Sequence, residues 1–478
     1  MEQIRGRPDV LLERGIPTKK VNEYAKMEKL DHGSSALSLI HYWWTRKPLI
    51  VCRTVLLSAI ADNITPNELE SVAFGSADAR TPYKEKTWEK SNTFEIYKRI
   101  MARAKEIYGN DLTIYDPFAG SGMIGFEALR MGLNVELSDV NPVAYLIMKA
   151  TIEYPKKYGS KLLNDVKREG ERIIREMREE LKDLYPPHRW TDGSTDGVNH
   201  AEVKAYIWAW GVKCPSCGRV TPLVNDWAVS REEYISYKVE GDSLKFEIKR
   251  GKSPEGNVRR GEGRCLFCDM KITNEEIKED IRENKREVLL AVALNRNKYS
   301  ADVSQHETGV MKASEILNEK MNELFPYLPN IEIVKDKRNI ASSKYLSLWS
   351  DLFNDRQKVL VATLAKKIKE TGLAYAEKGD REYAKAVVAV LSSWVGNVVN
   401  FNSRAATWNL QAFAIASSVK NNGIGLMWKH AEPNPLIKFS GSLQNMLENV
   451  LTGLKFSIDQ ISHVKDGNNL TSIADQIG

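Results

Sequence analysis

The sequence predicts an α/β protein: a doubly wound parallel sheet with an inserted small β module and an α-rich region. Three observations lead there. A strand–turn–helix–strand unit runs from Leu112 to Asn141, and four of the five cysteines fall in two C-x-x-C pairs around strand-like segments. Residues 161–184 and 291–436 are mainly helical in pattern. Alternation of strand and helix with a glycine turn between them is the signature of a parallel sheet covered by helices.

Taken in order, residues 1–33 are polar and turn-rich. From His41 to Ile60 the residues Trp43, Trp44, Leu49, Val51, Val55, Leu56 and Ile60 recur near helical spacing, with Pro48 tolerated at a first helical turn. Residues 61–92 read as a loop, followed by a helix from Thr93 to Ile107. Leu112, Ile114 and Tyr115 give a short strand that runs into Asp116-Pro117-Phe118-Ala119-Gly120-Ser121-Gly122. A helix from Met123 to Met131 is closed by Gly132. Val135 and Leu137 form the second strand, which ends at Ser138-Asp139-Val140-Asn141-Pro142. From Lys161 to Leu184 one apolar stripe among Lys, Arg and Glu describes a solvated helix with a single buried face, ended by Pro186-Pro187. Tyr234–Val239 and Leu244–Ile248 form a hairpin between the cysteine pairs. Thr273 with Glu276 is a capping box opening a helix through Leu290. The expected divisions are 1–160 for the sheet, 161–204 for a helical linker, 205–272 for the cysteine module, 273–436 for the α-rich region and 437–478 for a segment returning to the sheet.

The chain has 478 residues, enough for about two to four domains. An apolar fraction of 42% with eleven Trp and eighteen Tyr excludes disorder throughout. The apolar stretches Leu49–Ile60 and Ala386–Val399 are shorter than a membrane span and contain Arg53 and Ser392-Ser393. No leader pattern opens the chain, so a cytoplasmic protein is expected. A net charge of +6, from 69 basic and 63 acidic residues, permits a polyanionic partner without demanding one.

Gly120 and Gly122 let the backbone turn tightly and approach a ligand, while the following helix offers unpaired N–H groups. The pattern is neither G-x-G-x-x-G nor a P-loop, which disfavours a phosphate ligand. Asp139 ends the next strand, where an acid accepts hydrogen bonds from ribose hydroxyls. A ligand with a ribose, no phosphate and an ammonium to meet Asp116 fits S-adenosylmethionine; the bland alternative is an ordinary turn that Asp139 caps. Cys214/Cys217 and Cys265/Cys268 are separated by 47 residues, which accommodates the hairpin. Four thiolates suit a closed, structural zinc site, with coincidental buried thiols or a redox pair as alternatives. Lys245 to Arg264 carries seven cations against three Glu, of which Lys249, Arg250, Lys252, Arg259 and Arg260 are candidate phosphate contacts; a merely solvated surface is equally consistent. Trp43 and Trp44 either stack on a base or fill the core, and Cys52 reads as a small buried hydrophobe.

Asp116 to Gly122 resembles the cofactor motif of amino-group DNA methyltransferases, and Thr45-Arg46-Lys47-Pro48-Leu49 resembles their upstream K-P-L segment. The longer string of His32-Gly33 and His41 to Leu49, together with Ala205 to Trp210, Cys214 to Gly218 and Asp351 to Gln357, is similar to the zinc-ribbon-containing adenine-specific DNA methylases of the DUF1156 type. That resemblance implies a Rossmann-like class I methyltransferase core and cofactor contacts from Asp116, Pro117, Phe118, Ala119, Gly120, Ser121, Gly122, Asp139, Asn141, Lys47 and Pro48. It also implies DNA as partner, and a restriction or phage-defence setting.

Such enzymes hold the target amine with a tetrad of the type Asp/Asn/Ser-Pro-Pro-aromatic, and none occurs here. Tyr185-Pro186-Pro187-His188 and Glu432-Pro433-Asn434-Pro435 do not fit, so no catalytic residue is assigned. The expectation is that Leu443–Leu454, a strand Ile458–Ser462 and Asp466-Gly467-Asn468-Asn469-Leu470 lead towards a tetrad carried elsewhere, by a missing C-terminal part or by a second chain. A non-catalytic nucleic-acid-binding scaffold and an RNA methyltransferase are the rival readings.

Overall fold

Val135 and Leu137 are wholly buried because their strand is the middle one of three. In the computed structural model, which describes residues 9–30, 36–75, 81–190, 200–334, 340–419, 424–462 and 470–475, β1 (Thr113–Asp116) and β2 (Asn134–Asp139) pair in parallel from Thr113↔Asn134 to Asp116↔Leu137. A closing strand, Leu470–Asp475, lies parallel on the other side of β2, ending with Asp475 opposite Asp139. The expected strand at Ile458–Ser462 is instead the end of helix Leu443–Ile461. Its buried residues Leu443, Met446, Leu447, Val450, Leu454, Ile458 and Ile461 keep helical spacing to the last turn. Asp466 to Asn469, and His32-Gly33, lie outside the described residues.

The chain divides into two units, one of residues 1–167, 380–393 and 449–478, the other of 168–379 and 394–448. In the first, α1 (Thr18–Leu30), α2 (Leu49–Ala59), α3 (Pro66–Phe74), α4 (Phe94–Tyr108) and α5 (Met123–Arg130) accompany the sheet. Helix α2 starts after Pro48, so Trp43 and Trp44 precede it. Helix α3 corrects the loop expected at 61–92. Thr65 and Glu68 form a capping box with Pro66 in the first turn, the same signal as Thr273 and Glu276.

One charged side chain binds four segments of this unit. Arg53 of α2, wholly buried, pairs with Glu127 of α5 at 3.4 Å. It also donates to the carbonyls of Ala73 and Pro82 at 2.9 Å, to that of Glu85 at 3.1 Å and to Thr87 Oγ1 at 3.1 Å. Glu127 also pairs with buried Arg130, and both guanidiniums lie over the Trp88 ring. Such a cluster holds only while every charge is answered.

In the second unit β3 (Val203–Lys213) is central. It pairs antiparallel with β4 (Val220–Leu223), β7 (Glu287–Leu294) and β9 (Lys429–Pro433), and β8 (Lys298–Ser300) flanks β7. Ala205, Ile207 and Ala209 enter one apolar cluster, and Trp210, Val212 and Cys214 another, as alternation along a strand requires. The hairpin β5 (Glu233–Glu240) and β6 (Ser243–Arg250) is as expected. The helix expected through Leu290 ends at Asn284, and β7 follows it. Its run Val-Leu-Leu-Ala-Val-Ala-Leu has no polar face, so helix and buried strand share that pattern. With β8, β9 and two short strands, Thr407–Asn409 and Ala414–Ala416, residues 291–436 mix strands with the helices Glu307–Glu319, Asp355–Glu377 and Arg381–Phe401. Arg381–Phe401 alone among the described helices is long and apolar enough to cross a membrane, and 56% of its most apolar stretch is buried within the protein.

Glu127→Gln is expected to lower the free energy of unfolding in urea by about 3–5 kcal/mol, since it leaves two buried guanidiniums without a counter-charge.

Candidate functional site

Two adjacent parallel strands end side by side, β2 two residues beyond β1, and their loops are tied by one carboxylate. Asp139 Oδ2 accepts from the Gly120 N–H at 2.8 Å, and its Oδ1 from the Asn141 N–H at 2.8 Å. Asn141 in turn caps the helix Pro142–Met148 through the Val143 N–H at 2.9 Å. Asp116 accepts from the Phe118 N–H at 3.2 Å. Burial raises the Asp116 carboxyl above the ordinary range, the Phe118 N–H opposes the rise, and Asp139 adds to it. Two acids therefore face one loop, an arrangement that a cation relieves.

Both glycines are required by their surroundings. Gly120 has φ +55°, and a Cβ on it would lie 2.8 Å from Trp43 Nε1. Gly122, φ +74°, would press a Cβ to 2.7 Å from Ile152 Cδ1. Trp43 thus packs on the loop, whereas Trp44 is 49% exposed and meets Tyr42 edge-on. Phe118 at 79% and Val140 at 57% stand exposed beside the two acids, an apolar rim on a charged site. Ser121 is buried.

The upstream segment is held beside this loop. Arg46 donates to the His41 carbonyl at 2.8 Å and contacts Met123 Sδ at 3.9 Å, and burial brings its guanidinium down to about 10. The first N–H groups of α2, those of Leu49 and Ile50, are taken by the buried carboxylate of Glu28 at 2.8 and 3.2 Å. Cys52 is buried as expected. Its thiol is pushed up by burial and by Glu127, Glu28 and Asp116, while Lys47 opposes them. Glu28 and Arg53 carry no sequence signal beyond a charge on an apolar face.

The four cysteines converge. Cys214 Sγ is 3.7 Å from Cys268 Sγ, Cys217 Sγ is 3.7 Å from Cys265 Sγ, and all four sulfurs lie within 4.8 Å of one another. Ligands about 2.3 Å from one tetrahedral ion are about 3.8 Å apart, so the thiols fit a single metal. The two knuckles repeat one geometry: the Gly218 N–H meets the Cys214 carbonyl at 2.9 Å, and the Asp269 N–H the Cys265 carbonyl at 3.0 Å. Lys249, Arg250, Lys252, Arg259 and Arg260 are all exposed, as a surface for phosphates requires.

Both near-matches to the tetrad are core. Glu432 is wholly buried and accepts from Arg356 at 2.7 Å and from Trp208 Nε1 and Asn354 at 3.0 Å. Tyr185 and His188 are buried as well. The Asp351 to Gln357 segment is structural in the same way, because Asn354 caps its helix and Arg356 meets Glu432.

Residues 95–185 match the family described as D12 class N6 adenine-specific DNA methyltransferase. The chain carries a region similar to an adenine methyltransferase domain. Residues 15–85, which include Glu28, Trp43 and Arg46, match a protein of unknown function, DUF1156. No curated protein and no solved structure matches the chain. The match supports DNA adenine methylation as the general activity, and with it S-adenosylmethionine as cofactor and DNA as substrate.

Two outcomes follow. Cobalt(II) is expected to bind at one equivalent per chain with thiolate charge-transfer bands, and Cys217→Ser to abolish them. Burial lifts the Glu28 carboxyl to about 7, against the pull of the Leu49 and Ile50 N–H groups. Its folded value lies above the unfolded one, so this stabilising term is complete below about pH 4.5 and is lost as pH rises through 7. Between pH 5 and 8 the wild type should lose on the order of 3 kcal/mol relative to Glu28→Gln in denaturant titrations.

Proposed function

We propose that this chain is the S-adenosylmethionine-binding and DNA-recognition portion of an adenine-N6 DNA methyltransferase, with a Rossmann-like class I core and a structural zinc ion on Cys214, Cys217, Cys265 and Cys268. The observation that carries the reading is the Asp139 carboxylate joined to Gly120 and Asn141 at the carboxyl ends of two adjacent parallel strands, where open α/β sheets bind ligands.

The residues present fit the cofactor. Each Asp139 oxygen keeps a lone pair beyond its backbone bond, which can accept from a ribose hydroxyl. Asp116 faces the ammonium, the exposed Phe118 and Val140 offer apolar surface to an adenine ring, and Lys47 meets the carboxylate. The Gly120 and Gly122 backbone admits the ligand closely, with Pro117, Ala119, Ser121, Asn141 and Pro48 shaping the rim. When bound, the cofactor supplies an electrophilic methyl group. The chain's own contribution is to hold that methyl in line with the incoming amine and to keep water from it.

A second chain that supplies an Asp/Asn/Ser-Pro-Pro-aromatic tetrad to accept the amine's hydrogen bonds is part of this proposal, since no such run occurs in the sequence. Supporting this, β1 pairs on one side only among the described residues, and Tyr115 on it is 59% exposed. A further parallel strand can add there.

Calorimetric titration of the folded chain with S-adenosylmethionine is the test. Micromolar binding is expected, weakened at least ten-fold in Asp139→Asn and unchanged in Lys249→Ala. A folded wild-type chain that takes up no cofactor contradicts the reading.

A further inference from the structure

Three cavities in the second unit meet at one residue, Leu410. The first, of about 570 Å³, lies at the foot of the β5–β6 hairpin, and the second, of about 710 Å³, continues it. A third, of about 280 Å³, is lined by Trp428, Met427, Trp408 and Lys429. Together they form a furrow that is cationic at one end and aromatic at the other.

The cations come from segments far apart in sequence. Arg231 precedes β5, Arg250 ends β6 and Lys252 follows it, while Arg296 comes from the turn between β7 and β8 and Lys298 opens β8. That turn holds two consecutive residues in the left-handed region, Arg296 at φ 58° and Asn297 at φ 57°, a conformation that costs free energy and recurs in ligand-holding loops. Among the described residues, five cations line the first two cavities together with three carboxylates, Glu232, Glu233 and Asp226. Asp226 is already engaged by the Ala228 N–H and by Ser253. Trp190 forms part of the wall, with the Lys298 ammonium 5.9 Å from its ring centroid.

We infer that this furrow holds a single strand of DNA, its phosphates on Arg231, Arg250, Lys252, Arg296 and Lys298, and one base entering the aromatic cavity beside Trp428. A row of cations along a groove that leads to aromatic rings is how single strands are held, through charge and stacking. The third cavity, of about 280 Å³ and walled by Trp408 and Trp428, has room for one base. The inference rests on the DNA reading above and names the strand that reading leaves open. Alternation along β6 sends Lys249 to the face opposite Arg250, so the exposed residues Lys249, Arg259 and Arg260 serve as an independent surface.

The test is fluorescence anisotropy with a labelled 20-nucleotide single strand and the corresponding duplex, across a range of salt, on the full chain. Tighter binding of the single strand is expected. The triple change Arg231→Ala, Arg250→Ala, Arg296→Ala should weaken it at least ten-fold and lower the salt slope by about 2, at roughly 0.7 per phosphate contact. Leu410→Trp, which fills the junction of the cavities and leaves every charge in place, should weaken it as well. If both variants bind like wild type while Lys249→Ala, Arg259→Ala, Arg260→Ala loses binding, the furrow is wrong and DNA recognition stands. A wild-type preference for duplex also overturns the furrow. Failure of the wild type to bind either oligonucleotide overturns the DNA reading with it.

Discussion

The carboxylate of Asp139 is the constraint on which the candidate cofactor site depends. Its two oxygens take the N–H groups of Gly120 and Asn141, so the loops after β1 and β2 cannot shift independently. Charge-assisted bonds of this kind are about twice as strong as neutral ones. The cost is a second acid close by, since burial and Asp139 together raise Asp116. A site that holds two carboxylates near each other is destabilised until a cation arrives, and a cationic ligand then gains from both.

Behind the loops, charge is used in a different way. Glu28 closes the start of α2, and Arg53 joins α2 to α5 and to the carbonyls of Ala73, Pro82 and Glu85. Each of these buried groups is bonded to the backbone or to an opposite charge, which lowers the cost of burying it. The second unit repeats the device, with Arg356 and Glu432 paired in the core among Tyr206, Tyr185 and Trp208. In both units the buried ions join elements distant in sequence.

Local chemistry was legible in the sequence, and distant pairing was not. The Asp116 to Gly122 turn, the helix Met123–Arg130 and the hairpin around Gly241-Asp242 each follow from residue types within a few positions, and the four cysteines, though 47 residues separate the pairs, announce their convergence by the repeated C-x-x-C spacing. Three things escaped. Helix Pro66–Phe74 was missed although Thr65-Pro66-Asn67-Glu68 carries its capping signal. Strand Glu287–Leu294 was read as helix because a wholly apolar run has no period. The closing strand was expected some ten residues early, at Ile458–Ser462, where helical spacing in fact persists to Ile461. Glu28, Arg53 and the cations at the β7–β8 turn acquire their roles only from neighbours dozens of residues away, and no local pattern announces such roles.

The central claim is that the Asp139-tied loops are the cofactor site. Hydrogen–deuterium exchange of the chain with and without S-adenosylmethionine tests it most directly. The account predicts added protection confined to residues 116–122, 139–143 and the segment around Trp43, with the β5–β6 hairpin unchanged. Protection appearing elsewhere while the Gly120 and Asn141 amides exchange as before would contradict it.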